Sequence, residues 1–196
     1  HIKKTPGKIM MYSKEQKLNI GAGKRPLTEY TNLDSRKLPG IDVIHDLNKY
    51  PWPFKDNQFN EVIAMYSLEL LEDFIKAIEE IHRISRNKAR IIVYSPLFPN
   101  MRSAQDPLTR KFMTYNTFDY FTPENRGLNY YSKARFRIIR RRIIFSRNKL
   151  LKFLNFLPNI SQKFYARFLF NIFPSNEIIY ELEAVKLPAI QTDKSF

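Results

Sequence analysis

The 196-residue sequence contains no cysteine and only three histidines, His1, His45 and His82. Without thiols there is no disulfide, no Cys-ligated zinc, no iron–sulfur cluster and no thiol nucleophile. So few histidines make Ser-His-Asp hydrolysis and His-rich metal sites poor readings. No run of about 18 apolar residues occurs, so no membrane span is expected. The first residues are charged and carry no apolar signal core. Together these two absences give a cytoplasmic expectation, with peripheral attachment to a membrane left open. A composition of 43% hydrophobic and 27% charged residues suits one globular domain over 1–196.

Acidic residues are missing from one long stretch. Between Arg126 and Asn176 there are twelve Lys or Arg and no Asp or Glu. That stretch carries most of the formal net charge of +14. Such a balance favours polyanions: nucleic acid, anionic lipid heads, phosphorylated or acidic substrates.

The first half alternates short apolar strands with turns. Strands are predicted at Lys17–Ile20, Tyr30–Leu33, Ile41–His45, Glu61–Met65 and Ala89–Tyr94. Between the last two, Leu70, Phe74, Ala77, Ile78, Ile81 and Ile84 recur at steps of three and four, a helical pattern. Further on, Tyr115–Phe121 is an aromatic cluster and Phe136–Phe145 reads as a long strand. Leu150, Leu151, Leu154 and Leu157 suit a helix that Pro158 ends or kinks. Ile160, Phe164, Tyr165, Phe168, Leu169 and Ile172 suit an amphipathic helix. Glu177–Leu187 reads as a final, reversed edge strand. The fold class is therefore α/β, a Rossmann-like, mostly parallel sheet with a helical, basic C-terminal cap. Residues 12–96 form its core, 97–176 a substrate-side loop and cap, and 177–187 the edge strand.

The stretch that carries chemistry is Leu18-Asn19-Ile20-Gly21-Ala22-Gly23. A strand ending in Gly-x-Gly lets the backbone approach a ligand with no Cβ in the way. In a doubly wound sheet that turn lies at the carboxyl edge, where nucleotides bind. The next two strands end in acids, Asp34 and Asp46. A carboxylate at Asp34 can accept from ribose hydroxyls, and one at Asp46 from an exocyclic amine while Leu47 packs on the base. Asp34 comes only eleven residues after Gly23, earlier than in dinucleotide folds, and no third glycine follows. Both features argue against NAD, and they require a very short first crossover.

With its LNIGAG, YTNLDSR, DL…PWPF, LELLED and IIVYSP segments, the chain resembles the class I S-adenosylmethionine-dependent methyltransferases, the small methyltransferase-11-like group above all. The resemblance covers Lys17 to Pro96 well and the rest loosely. It implies S-adenosylmethionine as cofactor, held by Asn19, Gly21, Ala22, Gly23, Asp34, Asp46, Leu47 and Tyr66. It also shows departures. Asn19 stands where the family often has an acid, and Tyr66 and Leu70 where it often has histidine. A histidine base is thereby missing, and Glu69 and Asp106 are the acids placed to take a proton. Glu69 also suits a helix N-terminal charge, and Asp106 a turn before Pro107.

Methyl transfer from a sulfonium needs mainly in-line approach and a dry pocket, and a base only when the acceptor must lose a proton. Transfer to cytosine C5 is excluded for want of a Cys nucleophile. The Asn/Asp-Pro-Pro-aromatic turn that goes with exocyclic base amines is absent, since that place reads Ala64-Met65-Tyr66-Ser67. An O- or other N-acceptor remains, with lipid-linked, glycan and other anionic substrates open. Two functions compete for the basic segment. Arg135, Arg137, Arg140, Arg141 and Arg142 could grip a phosphate backbone, with Tyr130 and Tyr131 stacking on bases. Alternatively, the segments at 150–157 and 160–173 could lie on a membrane surface or lipid-linked substrate. A plain helical cover with solvated Lys and Arg is the third reading. A non-catalytic protein that keeps the fold and binds an anionic partner is the rival to an enzyme.

Overall fold

The computed structural model describes residues 13–186 other than 126 and 128. Tyr12, Arg126 and Leu187, which bound expected segments, lie outside the described residues. Seven strands form one sheet: β1 (Lys17–Ile20), β2 (Thr31–Asp34), β3 (Val43–Ile44), β4 (Phe59–Met65), β5 (Ser85–Pro96), β6 (Phe136–Ile144) and β7 (Glu177–Ala184). Their order is β3-β2-β1-β4-β5-β7-β6. The first five are mutually parallel, and β7 runs antiparallel to both β5 and β6.

The Rossmann-like sheet with one reversed C-terminal strand is therefore present, with one correction to its edge. The segment 177–187, expected at the edge, provides β7, which sits inside the sheet between β5 and β6 and ends at Ala184. Composition explains the exchange. Glu177–Tyr180, Leu182 and Ala184 of β7 are all buried, as in a strand covered on both faces. Arg137, Arg140 and Arg142 of β6 are exposed, and a charged strand blunts an edge that could otherwise pair with another chain.

One face of the sheet holds the main core. Leu18, Ile20, Leu33, Val62, Ala64, Ile91, Val93, Ile178 and Tyr180 pack there under α1 (Phe74–Ile84), with Trp52, Phe59 and Phe118. The helix is shorter than the apolar pattern. Leu70 falls in a separate 3-10 turn, Leu68–Leu70, because Asp73 caps the helix by accepting from the Lys76 amide at 2.9 Å. Ala77, Ile78, Ile81 and Ile84 then face the sheet. The opposite face is thinner, a cluster of Ile63, Ile92 and Ile179.

The β1–β2 crossover has no helix at all: ten residues make turns. Two buried asparagines replace the missing helical hydrogen bonds. Asn32 Oδ1 accepts from the Leu27 amide at 2.8 Å, and its Nδ2 donates to the carbonyls of Leu27 and Tyr30 at 3.0 and 3.1 Å. Asn19 Nδ2 donates to Asn32 Oδ1 at 2.9 Å and to the Arg25 carbonyl at 3.2 Å. Side-chain amides can satisfy both donors and acceptors of an irregular chain, which makes so short a crossover tolerable.

Between β6 and β7 the expected helix pair is broken up. A 3-10 turn (Lys152–Phe156) leads into short helices α3 (Leu157–Ile160) and α4 (Gln162–Phe164), followed by a π turn (Tyr165–Leu169). Pro158 does not end a helix; it lies in the first turn of α3, where its missing N–H costs nothing. A further short helix, α2, spans Arg102–Gln105.

Candidate active site

The parallel register brings four strand ends to one edge of the sheet. Ile20 lies beside Leu33 and Ala64, and Asp34 beside Ile44. The Gly21–Gly23 turn, Asp34, Asp46 and Tyr66 therefore share the carboxyl edge. Gly21 and Gly23 both have left-handed backbones, with φ of 63° and 51°, a conformation costly for residues with a Cβ. They differ in what surrounds them. A Cβ on Gly21 would meet Ser67 Cβ at 2.5 Å, so this glycine makes room for the β4 loop. Ser67 itself is tied to the Ile20 carbonyl at 3.2 Å. A Cβ on Gly23 would find only Asp34 Oδ2, at 3.9 Å, within reach. The open backbone is thus at Gly23.

Asp34 organises this turn. Its Oδ2 accepts from the Gly23 amide at 2.8 Å and its Oδ1 from the Arg36 amide at 3.0 Å. Each oxygen keeps a further lone pair for a ligand. Asp46 Oδ1 accepts from the Asn48 amide at 3.0 Å, which closes an Asx turn. Leu47 is buried close to Gly21, and its carbonyl accepts from the Trp52 indole at 3.1 Å. Trp52 is in turn anchored on α1, where Glu80 Oε2 accepts from its amide at 2.7 Å. The PWPF stretch therefore positions Leu47.

Two predicted residues are used internally. Ala22 is buried and its amide donates to the Leu33 carbonyl at 3.0 Å. Asn19 is fully buried in the crossover network, with its Oδ1 unpartnered. An orphaned buried acceptor beneath the glycine turn, the open backbone at Gly23 and two strand-end carboxylates form a set that fits a nucleoside bearing a cationic tail.

Tyr66 follows β4 in a left-handed conformation, φ 56°, a strain that marks functional turns. The Arg147 Nη2 donates to its Oη at 3.0 Å, and the Arg25 guanidinium lies 5.4 Å from its ring centroid. Arg147 also clasps the buried carboxylate of Glu177 at 2.8 and 2.9 Å. Burial, then the Glu177 charge, pushes the Tyr66 hydroxyl up to about 12, so it remains a phenol. Sequence reasoning missed Ser67, Arg25 and Arg147. For Arg147 a signal existed: Glu177 is the first acid after an acid-free run of 52 residues, 125–176, and needs a cation.

Glu69 and Asp106 come together electrostatically. Glu69 is only 4% exposed and its Oε2 has no partner. Burial pushes its carboxyl up to about 7, with a smaller push from the Asp106 charge. The Arg110 and Lys111 amides donate to the Glu69 carbonyl at 2.8 and 3.0 Å, which lays the 106–111 loop over it. Asp106 is exposed and forms an Asx turn with the Leu108 amide at 2.9 Å.

The five arginines do not share one surface. A bulge between Ile138 and Arg140 breaks the strand's alternation. Arg141 points inward, 4.5 Å from the Tyr115 ring centroid and paired with Asp119. Arg137 pairs with Glu183 at 2.7 Å, Arg140 and Arg142 are exposed, and Arg135 precedes the strand and donates to the Ala134 carbonyl at 2.8 Å. Tyr130 and Tyr131 stack on each other, 4.0 Å between centroids.

A parallel sheet entered by a glycine turn, with acids at the next two strand ends and a reversed strand next to the edge, defines a Rossmann-like methyltransferase fold. Residues 18–93 match the family model described as a methyltransferase domain. A comparison with curated proteins finds no match. Among solved structures, the chain is similar to the YcgJ protein of Bacillus subtilis, at 11% identity over 90% of this chain and 94% of that one, with a TM-score of 0.57. It is similar to a SAM-dependent methyltransferase from Archaeoglobus fulgidus, at 15% identity over 85% of each chain and a TM-score of 0.57. Phosphoethanolamine N-methyltransferase 2 of Haemonchus contortus, in complex with S-adenosyl-L-methionine, is similar at 11% identity over 91% of this chain and 50% of that one, with a TM-score of 0.55. A methyltransferase-domain model thus matches residues 18–93, and the solved structures share this chain's fold.

Proposed function

We propose that the chain transfers the methyl group of S-adenosylmethionine to an oxygen or nitrogen of an acceptor that bears an anionic group. The observation that carries the choice of acceptor is the pair of guanidiniums around Tyr66. Arg25 faces its ring and Arg147 bonds its hydroxyl, next to the loop that packs on Gly21. Arg25 is the cation there that can attract phosphate or carboxylate, while Arg147, already paired with Glu177, fixes the Tyr66 hydroxyl beside it.

The cofactor supplies an activated methyl on a sulfonium. Asp34 holds ribose hydroxyls with its free lone pairs, and Asp46 and Leu47 frame the base. Gly23 leaves the backbone open to the ligand. Asn19 Nδ2 is committed to the crossover, which leaves its unpartnered Oδ1 as the acceptor beneath the turn for the cofactor's cationic tail. Arg147 and Tyr66 position the acceptor. Glu69, with a carboxyl near 7, is poised to take a proton from it; Asp106 acts on Glu69 through its charge.

The test is transfer of radiolabelled methyl from S-adenosylmethionine into separated lipid, glycan, nucleic-acid and small-metabolite fractions, for the parent and Arg147→Gln. Label in a phosphate- or carboxylate-bearing product, reduced by the substitution, is the expected result. Label confined to uncharged products contradicts the reading.

A further inference from the structure

The cofactor site does not account for the surface between β6 and β7. From residue 149 to 173 the chain buries little of its apolar side-chain surface. Leu150 is 81% exposed, Ile160 72% and Phe153 68%, and half or more of Phe156, Leu157, Phe164, Phe168, Ile172 and Phe173 faces solvent. Soluble proteins seldom leave so many large apolar groups together at the surface without a partner.

This shelf is held in shape. Asn155 bonds both the amide and the carbonyl of Ser146, at 2.9 and 3.0 Å. Asn159 does the same for Ile143, at 3.1 and 2.6 Å. Tyr165 is buried and bonds Ser175 at 2.6 Å. The backbone is thus pinned to the strand edge while the aromatic and aliphatic groups project.

Charge identifies what covers them. Lys149, Lys152, Lys163 and Arg167 interleave with the apolar residues, and no acid occurs between Arg126 and Asn176. Exposed Phe, Leu and Ile mixed with Lys and Arg match the boundary between anionic headgroups and acyl chains. A nucleic acid fits less well. The shelf offers apolar groups where a phosphate backbone needs cations, and Arg137 and Arg141 on the neighbouring strand are engaged by Glu183 and Asp119.

We propose that residues 149–173 dock the protein on an anionic lipid bilayer. Phe153, Phe164 and Phe168 enter the interface, and the lysines meet lipid phosphates. Arg147 immediately precedes the shelf and bonds Tyr66, so docking puts the bilayer beside the methyl-transfer site. The corollary is that the acceptor is a membrane lipid with an anionic head; that corollary rests on the methyltransferase reading, whereas docking does not.

The experiment is co-sedimentation of the full chain with vesicles of phosphatidylcholine alone or with about one third phosphatidylglycerol. Binding to the anionic vesicles at least about tenfold tighter, and weakened by roughly 0.5 M salt, is expected. The triple change Phe153→Ser, Phe164→Ser, Phe168→Ser weakens it about tenfold or more, with thermal unfolding and S-adenosylmethionine binding unchanged. Lys149→Glu, Lys152→Glu, Lys163→Glu removes the preference for anionic lipid and guards against misfolding of the first variant. Equal binding to both vesicles, a Ser variant that binds like the parent, stronger binding to single-stranded RNA, or a stable dimer that ignores vesicles would each overturn docking. Docking without S-adenosylmethionine binding would instead overturn the methyltransferase reading and leave docking standing.

Discussion

Glu69→Gln separates the charge of this buried group from its shape. Burial and the Asp106 charge move the Glu69 carboxyl from its ordinary 4.5 up to about 7. Between those values the folded state holds a proton that the unfolded chain has released. Stability is therefore unpenalised below about pH 4.5 and falls as pH rises toward 7. A move of that size is worth about 3 kcal/mol at 1.36 kcal/mol per pH unit, and most of it, about 2–3 kcal/mol, falls between roughly pH 5 and pH 8. Glutamine keeps the volume and cannot ionise. Its own hydrogen-bond cost is the same at both pH values and drops out of the difference. Urea unfolding of both proteins at the two pH values reads the effect. Relative to the parent, the variant should gain about 2–3 kcal/mol on going to the higher pH. Parallel stability profiles, or a relative loss for the variant, would refute the reasoning. Asp106→Asn removes the lesser push and should shift the parent's transition to lower pH.

The glycine turn and its support give two more outcomes. Gly21→Ala adds a Cβ 2.5 Å from Ser67 Cβ at a φ of 63°, so unfolding should show a loss of about 2–4 kcal/mol. Ser67→Gly in the same chain should return part of it, the contact and not the backbone strain; no recovery would put the clash elsewhere. Asn19→Asp supplies the acid that the family often carries, yet it removes the donor to Asn32 and Arg25 and buries a charge. Chemical denaturation should show a loss of about 3 kcal/mol, and a neutral result would mean the crossover does not depend on that amide.

How much of this could be read from the sequence follows the range of the forces. The strands of the first half, the α1 stripe from Phe74 onward and the acids at the end of β2 and after β3 are local patterns, and they appear close to where periodicity and turn chemistry put them, with the expected strand at Ile41–His45 cut to Val43–Ile44, that at Ala89–Tyr94 lengthened to Ser85–Pro96 and Leu70 left outside the helix. The order of β6 and β7 is not local. It depends on which strand can be buried on both faces, a comparison between Arg-rich Phe136–Ile144 and apolar Glu177–Ala184 made only once both are strands. The segment 150–173 has a helix-like apolar period, but short turns fixed by Asn155 and Asn159 break it, and most of its large apolar residues stay outside while Tyr165, Leu169 and Phe170 pack inward. At the site, Asn19 looks like a ligand residue by position, while its neighbours Asn32 and Arg25, distant or across a turn, claim its amide. The sequence offers Arg147 only as a counter-ion for Glu177, because its contact with Tyr66 spans 81 positions.

The central claim is that the carboxyl edge of this sheet holds S-adenosylmethionine, and calorimetric titration tests it most directly. S-adenosylmethionine and S-adenosylhomocysteine should bind the parent and NAD should not. Asp34→Ala should weaken binding roughly ten- to a hundredfold, the loss of a charged acceptor for ribose hydroxyls. A folded parent that binds neither sulfur nucleoside, or an Asp34→Ala protein that binds them as tightly as the parent, would contradict the account.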